Sequence, residues 1–392
     1  MKIVGIQDLH ADGGWRTLSF LKIVTDEGLV GWSEYHEGNA VPGLTAAIKR
    51  LAAGVVGEDP RNVSRLSAAL RATVRSQAGG TGTHALAAIE NACLDIKAKA
   101  LGVPVYELFG GALSTRLEAY WSQCGTLRTQ HAALFGVPPL ATLDDVQRLG
   151  REVAERGFRS LKTNIICFDE DGGKNYRPGF GHGPAHPALN LDSRTIAAIV
   201  ALLEAFQDGA GPDVRLMLDL NYNVKPEGVR QLARALEPLQ LMWLELDMRD
   251  PRALRELRSA VRVPIASLET ILGRQAFRPY LDESAVDVAI VDPQWNGMLE
   301  AVKMANLAES YEVNIASHNY HGPLSTLMGI HFSAAIPNNR IVEYVVDEAP
   351  WVSTFVTHPP ILEQGMLRLP TRPGWGADVD ENIVAQFPPK AA

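Results

Sequence analysis

The apolar positions of this chain change their rhythm near Gly110-Gly111. Before that point, residues 19–24 and 29–33 are short apolar runs on either side of Asp26-Glu27-Gly28, a pattern that predicts an antiparallel hairpin. Residues 41–74 and 83–101 then carry apolar side chains at helical spacing, with Thr83 placed to cap the second helix and Gly102 to stop it. Strands followed by helices predict an α+β unit. After the glycine pair, strand and helix alternate. Residues 119–123 read as a strand, 142–156 as a polar helix, 158–162 as a second strand and 193–205 as another helix. Residues 168–191 are rich in Gly, Pro, His and Asp and show no periodicity, which predicts a long loop beyond the carboxyl end of the second strand.

Six short apolar runs follow, and each ends on a residue able to do chemistry: Asp219, Glu245, Glu269, Asp292, His318 and Glu343, at intervals of 26, 24, 23, 26 and 25 residues. A buried parallel strand with its return helix needs about that length of chain. With the two earlier strands, the count of eight predicts an α/β barrel, in which the carboxyl ends of all strands face one site. The expected division is an α+β domain over residues 1–117, a barrel over 118–350 and a C-terminal segment, 351–392, that packs back on the first domain.

The chemistry of these residues points to a metal and a base. Asp219, Glu245 and Glu269 end consecutive strands, and three converging carboxylates repel unless a cation joins them. Oxygen donors alone suit a hard ion such as Mg²⁺. His318 ends the strand beside that of Asp292, and a carboxylate against an imidazole fixes its tautomer and raises its basicity. Lys162 ends the second strand near the acidic trio, placed to act as a base or to hold charge against an oxyanion. Asn164 shares its side of that strand.

Composition narrows the classes. A net charge of −8 with no Lys/Arg block excludes nucleic acid and anionic membrane as expected partners. Three widely spaced cysteines, the absence of a signal-like leader and the lack of an apolar run of spanning length predict a cytoplasmic protein that does not enter membranes.

These residues resemble the enolase superfamily and, within it, the mandelate racemase-like subgroup with its acid-sugar dehydratases. The strand ends LMLDLN, WLELD and ASLET match that family's metal ligands, and His318, Asp292 and Glu343 match its strand-seven, -six and -eight positions. GLVGWSE and ALGVPVYELFGG near the N-terminal unit are similar to it as well. The resemblance implies a modified (β/α)₇β TIM-type barrel with an α+β capping domain, and Mg²⁺ on Asp219, Glu245 and Glu269. Its Lys-x-Lys is Lys162-Thr163-Asn164 here, which removes one of the two bases of a racemase and is similar to galactonate-dehydratase-like members. Those carry a His where this chain has Asn221.

The implied reaction is dehydration of a sugar acid, an aldonate or aldarate, to a 2-keto-3-deoxy acid. His318 is expected as base, Asp292 as its orienting partner, and Lys162 with a protonated Glu343 as stabilisers of the enediolate. The alternatives are a one-base epimerase, a lactone cycloisomerase or a sugar-acid-binding relative without turnover. Substrate contacts are expected from Asn164, Asn221, Trp15, Tyr176, Arg177, His182 and His186, and a homo-oligomer is the expected assembly.

Overall fold

The computed structural model describes residues 1–38, 41–77, 79–180 and 190–390. The N-terminal unit is a three-stranded antiparallel sheet, β1 (Ile3–Asp12), β2 (Thr17–Thr25) and β3 (Val30–Tyr35), followed by three helices. The predicted hairpin is β2–β3, and β1 is an additional strand beside β2. The continuous helical spacing of residues 41–74 resolves into two helices, α1 (Leu44–Ala52) and α2 (Val63–Thr73). The third, α3 (Thr81–Leu101), starts at an extended Gly80 rather than at Thr83, and stops at Gly102 with φ 72°, where a residue without Cβ is favoured.

Nearly every side of α3 is buried because it lies between this sheet and the barrel. A Cβ on Gly31 of β3 would stand 2.2 Å from the Ala92 carbonyl oxygen, so this sheet–helix approach needs glycine. On its other side α3 bonds to the barrel. Asn91 Nδ2 donates to the Pro293 carbonyl (3.0 Å), and Asn91 Oδ1 accepts from the Met298 amide (2.9 Å). Glu90 accepts from the Leu299 amide at 2.9 Å.

Eight parallel strands close the barrel in the order β4 (Arg116–Ser122), β5 (Ser160–Asn164), β8 (Arg215–Asp219), β9 (Trp243–Glu245), β10 (Ile265–Ser267), β11 (Val288–Val291), β12 (Asn314–Ser317) and β13 (Asn339–Val345), with β13 pairing back onto β4. Its interior is packed by Tyr120, Trp243, Ile290 and Ile341 among others, a filled core rather than a pore. The helices outside it are α4 (Arg128–Phe135), α5 (Leu143–Glu155), α6 (Ser193–Ala210), α7 (Pro226–Leu236), α8 (Pro251–Ser259), α9 (Arg274–Asp282), α10 (Pro293–Asn296), α11 (Met298–Glu309) and α12 (Pro323–Ala335). Thr142 caps α5 through a reciprocal pair of bonds with Asp145.

The stretch read from sequence as loop, residues 168–191, begins inside a two-stranded antiparallel hairpin, β6 (Ile166–Asp169) and β7 (Gly172–Asn175). The Gly-Gly-Lys-Asn composition of β7 carries no strand pattern. In the tail, β14 (Leu362–Glu363) and β15 (Met366–Arg368) extend the sheet at β4. Trp375 Nε1 donates to the Trp32 carbonyl (2.8 Å), and Trp351 Nε1 to that of Asp12 (2.7 Å). Among the described residues, no helix is long and apolar enough to cross a membrane, and Cys93, Cys124 and Cys167 are free.

Candidate active site

Two neighbouring strands deliver the first carboxylates directly: β8 ends at Asp219 and β9 at Glu245. The third needs a turn. β10 stops at Ser267, and Leu268 adopts φ 92°, a conformation a branched apolar residue rarely holds, before Glu269. Such strain persists where the surroundings over-determine it, commonly at functional sites. Asp219 is clamped by Asn221, whose amide N–H (2.8 Å) and side-chain Nδ2 (2.9 Å) both donate to it. Asn164 donates in turn to Asn221 Oδ1 (3.2 Å) and to the Asp219 carbonyl (3.3 Å). These two amides buttress a carboxylate, and their polar atoms are engaged within the protein.

Burial is the dominant influence on this trio and drives every member toward the protonated state. Asp219 is raised, with Lys162 and Asn221 opposing, and Glu245 is pushed up to about 8 despite Lys162 beside it. Glu269 is raised well above the usual carboxylate range, only partly relieved by His318. Asp247, two residues beyond Glu245, is another buried acid at this end of the barrel, lifted by burial and by Asp219 to about 6. Buried oxygen donors that would otherwise take up protons are the donor set a hard divalent cation requires. Asp219, Glu245 and Glu269 could hold one.

Across the barrel mouth the acids carry cations of their own. Lys162 Nζ lies 2.7 Å from Glu245 Oε1, 3.0 Å from Glu343 Oε1 and 3.9 Å from Asp219 Oδ2. Burial disfavours its charge, but Glu245 and Glu343 override it and hold the ammonium protonated. Lys162 is therefore a charged donor in this state, not a free base. Glu343 accepts further bonds from the Asn319 amide (2.7 Å) and from Ser122 Oγ. Burial opposes its charge, yet Lys162, His318 and these donors keep its pKa below the ordinary value. This corrects the expectation of a protonated Glu343: its acceptors are filled by the Lys162 ammonium, the Asn319 N–H and the Ser122 O–H, so it is a carboxylate.

His318 Nδ1 is 2.7 Å from Asp292 Oδ2, and its Nε2 is 3.4 Å from Glu269 Oε2. The other oxygen of Asp292 takes the amides of Gln294 (2.6 Å) and Trp295 (3.1 Å). His321 Nε2 reaches the same Oδ2 at 3.1 Å. Burial raises Asp292, but the two imidazole bonds outweigh it and hold the acid ionised. Both rings must therefore donate to Oδ2, His318 through its Nδ1–H, which turns its Nε2 toward Glu269. For His318, burial works against charge, while Glu269, Asp292 and Glu343 lift the pKa to about 10. Ligand-type atoms of Asp292, His318 and His321 do lie within 4.8 Å of one another. Their N–H groups point at the carboxylate, so the trio is a hydrogen-bonded relay in which the lone pairs a metal would need are already committed.

An aromatic layer separates this relay from the capping domain. Trp295 stands over His318 with ring centroids 4.7 Å apart, and Tyr320 is 5.4 Å from His318 and 5.3 Å from His36. Burial lowers His36 to about 3 and His84, on α3, to about 4, so both face the site as neutral rings. Glu34 of β3 caps α12, accepting from the Gly322 and Ser325 amides, the latter at 3.0 Å. The capping domain thus sets the helix that follows the loop of His318.

The structure brings Lys162, Glu245, Asp219, Glu343, His318, Asp292 and Glu269 together. Trp15 stands in the β1–β2 connection, close to the loop that follows β13. Tyr176 packs against the core near Cys167 and Asp192, on the α6 side, and Arg177 is exposed. His182 and His186 lie outside the described residues. Sequence reasoning missed Ser122, Asp247, Trp295 and His321. For His321 a faint signal existed: it stands three residues after His318 in the same short loop between β12 and α12.

Comparison with known proteins agrees with this geometry. Residues 145–383 match the enolase C-terminal domain-like family, and 13–110 the N-terminal domain of the mandelate racemase/muconate lactonizing enzymes. The chain is 28% identical to a D-xylonate dehydratase of Haloferax volcanii, over 98% of this chain and 88% of that protein. It is 30% identical to a D-galactonate dehydratase of Ralstonia nicotianae, over 98% and 94%. A crystal structure from Burkholderia xenovorans, named as an L-alanine-DL-glutamate epimerase and bound to magnesium and fumarate, superposes with a TM-score of 0.97 at 44% identity, covering 100% of this chain and 97% of that one.

Proposed function

The chain belongs to the mandelate racemase/muconate lactonizing enzyme family of the enolase superfamily, and from that premise we propose that it is a Mg²⁺-dependent dehydratase of a sugar acid. Carrying this reading is one observation: one imidazole, His318, stands between an orienting carboxylate and a candidate metal ligand, opposite a fully ion-paired Lys162. Epimerisation through a planar enediolate is most direct with a proton donor on each face. Here the second face offers an ammonium held by Glu245 and Glu343, followed by Asn164.

Asp219, Glu245 and Glu269 would hold Mg²⁺, which when bound supplies positive charge to the substrate carboxylate and to the enediolate. Nε2 of His318 spends its contact on Glu269; once that carboxylate is engaged as a ligand, Nε2 is left bare and can take the α-proton. Lys162 faces the charge that develops on the carboxylate oxygens. Asp292 holds the resulting imidazolium, which returns its proton to the β-hydroxyl as that group leaves. The α C–H and β C–O bonds break, water departs, and the enol becomes a 2-keto-3-deoxy acid. The 44%-identical neighbour favours one alternative, an epimerase on the same scaffold, which would reprotonate Cα instead.

Incubating the Mg²⁺-loaded protein with hexonates and hexarates in deuterated buffer tests the reading. Formation of a 2-keto-3-deoxy acid is expected. Deuterium at Cα with an inverted product and no keto acid would sink it in favour of the epimerase.

A further inference from the structure

We infer that His321 is a positioning residue for the reaction: it fills the last acceptor site of Asp292 and so fixes the direction in which His318 presents Nε2. The inference deepens the function proposed above and rests on it only in taking His318 as the base.

A carboxylate offers about four acceptor sites, two on each oxygen, and Asp292 meets a donor at each. Its Oδ1 takes the Gln294 and Trp295 amides, which hold it as the cap of α10. Its Oδ2 takes His318 Nδ1 at 2.7 Å and His321 Nε2 at 3.1 Å. Asp292 is fully buried, so bulk solvent is not at hand to replace a missing donor. With all four donors in place the carboxylate cannot turn without breaking bonds, and the imidazole attached to it is held as well. Take away the fourth donor and a buried acceptor is left unfilled, which is costly. The carboxylate is then free to turn toward another donor and to carry His318 with it.

His321 is committed to this one partner. Among the described residues its Nδ1 is buried without a hydrogen bond, so Asp292 is the ring's single partner. Burial lowers its pKa against the pull of Asp292, and the ring is neutral. A neutral N–H donates to Asp292 without bringing a second positive charge against the imidazolium that forms on His318. The ring itself is anchored. Its amide donates to Asn319 Oδ1 (3.2 Å), and the Asn319 amide donates to Glu343. Its carbonyl accepts from Arg16 Nη2 at 2.9 Å, the nitrogen that also donates to Glu348 at 2.6 Å. Tyr320 and Trp295 pack beside it, with centroids 4.3 and 5.7 Å away. A ring held on this many sides can hold a carboxylate in turn.

Two substitutions in the full, Mg²⁺-loaded chain separate the bond from the packing. His321→Gln keeps an N–H near the place of Nε2 and loses the ring, whereas His321→Phe keeps a ring and loses the N–H. Proton loss from Cα is followed by NMR in deuterated buffer, on whichever hexonate or hexarate the wild type turns over. His321→Phe is expected to lower kcat by roughly 10- to 100-fold, the range usual for a group that acts through the residue it orients. KM and Mg²⁺ affinity should stay as they are, which a misfolded variant would not allow. His321→Gln should recover most of the loss. A second readout needs no turnover. The Nδ1–H of His318, in its short bond to a carboxylate, gives a far-downfield proton signal, identified by its absence from His318→Asn. That signal should persist in His321→Gln and shift or broaden in His321→Phe. Full activity or an unchanged signal in His321→Phe overturns the inference, as does a His321→Gln variant as slow as His321→Phe. A wild type that inverts Cα and forms no keto acid would sink the dehydratase reading and leave the role of His321 standing, because both reactions begin with the same proton. If the wild type acts on none of these acids, that reading fails and the proton signal alone decides this one.

Discussion

The two halves of the barrel mouth treat the same functional group in opposite ways. On β8, β9 and the turn after β10, burial pushes Asp219, Glu245 and Glu269 upward. On β13 and the end of β11, Glu343 and Asp292 are as deeply buried, yet both are held ionised. Depth does not separate them; partners do. Glu343 has Lys162 with the Asn319 and Ser122 donors, and Asp292 has two imidazoles and two amides, whereas in the trio Glu245 and Asp219 share that same lysine and Glu269 has one histidine at 3.4 Å. A buried carboxylate whose cation is built in can orient and stabilise, while one short of a cation is left to recruit it from solution.

That contrast can be broken at its strongest point. His318→Asn removes the base and should reduce α-proton exchange, followed by NMR in deuterated buffer, by roughly a thousandfold. Mg²⁺ affinity should not fall. Persisting exchange would transfer the role of base to Lys162.

Next, the same substitution on each side should have different consequences. Glu343→Gln leaves Lys162 short of a buried partner and should cost about 3 kcal/mol in denaturant unfolding, with Mg²⁺ binding retained. Glu269→Gln should weaken Mg²⁺ by at least about tenfold in calorimetry, with the fold intact. Matching behaviour of the two variants would erase the distinction.

Acidity sharpens the comparison further. Glu245 moves from an ordinary 4.5 to about 8, and His318 from 6.5 to about 10. Between pH 6.5 and 8 the folded metal-free chain therefore holds protons that the unfolded chain has released, and stability falls as pH rises. Melting temperature without metal should drop across that window, and the stabilisation by Mg²⁺ should grow. A flat profile would mean that the trio is ionised without help. The smallest effect is expected from Asn221→Ala, which deletes a bond onto Asp219 and should raise the Mg²⁺ dissociation constant by about tenfold.

Much of this was legible beforehand because barrel strands are short, apolar and evenly spaced, and their ends carry the chemistry. Asp219, Glu245, His318 and Asp292 follow from that rhythm alone. Other features left no such trace. β1 alternates irregularly, and in the β6–β7 hairpin the second strand is built from Gly and polar residues only. Arg16 and Glu348 sit in irregular connections hundreds of residues apart, so no window on the sequence contains both. The charge of Glu343 was misread because its strand end names the residue but not the lysine and amide that saturate it.

Helix α3 has a consequence for how the chain is made. Its Glu90 and Asn91 bond to residues 293–299, and Asp95 takes the amide of Trp375 at 2.9 Å. Helix α3 thus leaves the ribosome well before these partners, which lie about 200 to 280 residues downstream. At synthesis rates of about 5–20 residues per second, that is a delay of roughly 10 to 60 seconds. Through that interval one side of α3 already rests on β3, but the side that meets the barrel, with Glu90 and Asn91 on it, stays uncovered. The capping domain is completed only once the barrel is made, and a nascent chain stalled inside the barrel would expose the barrel-facing side of α3 to chaperones and proteases.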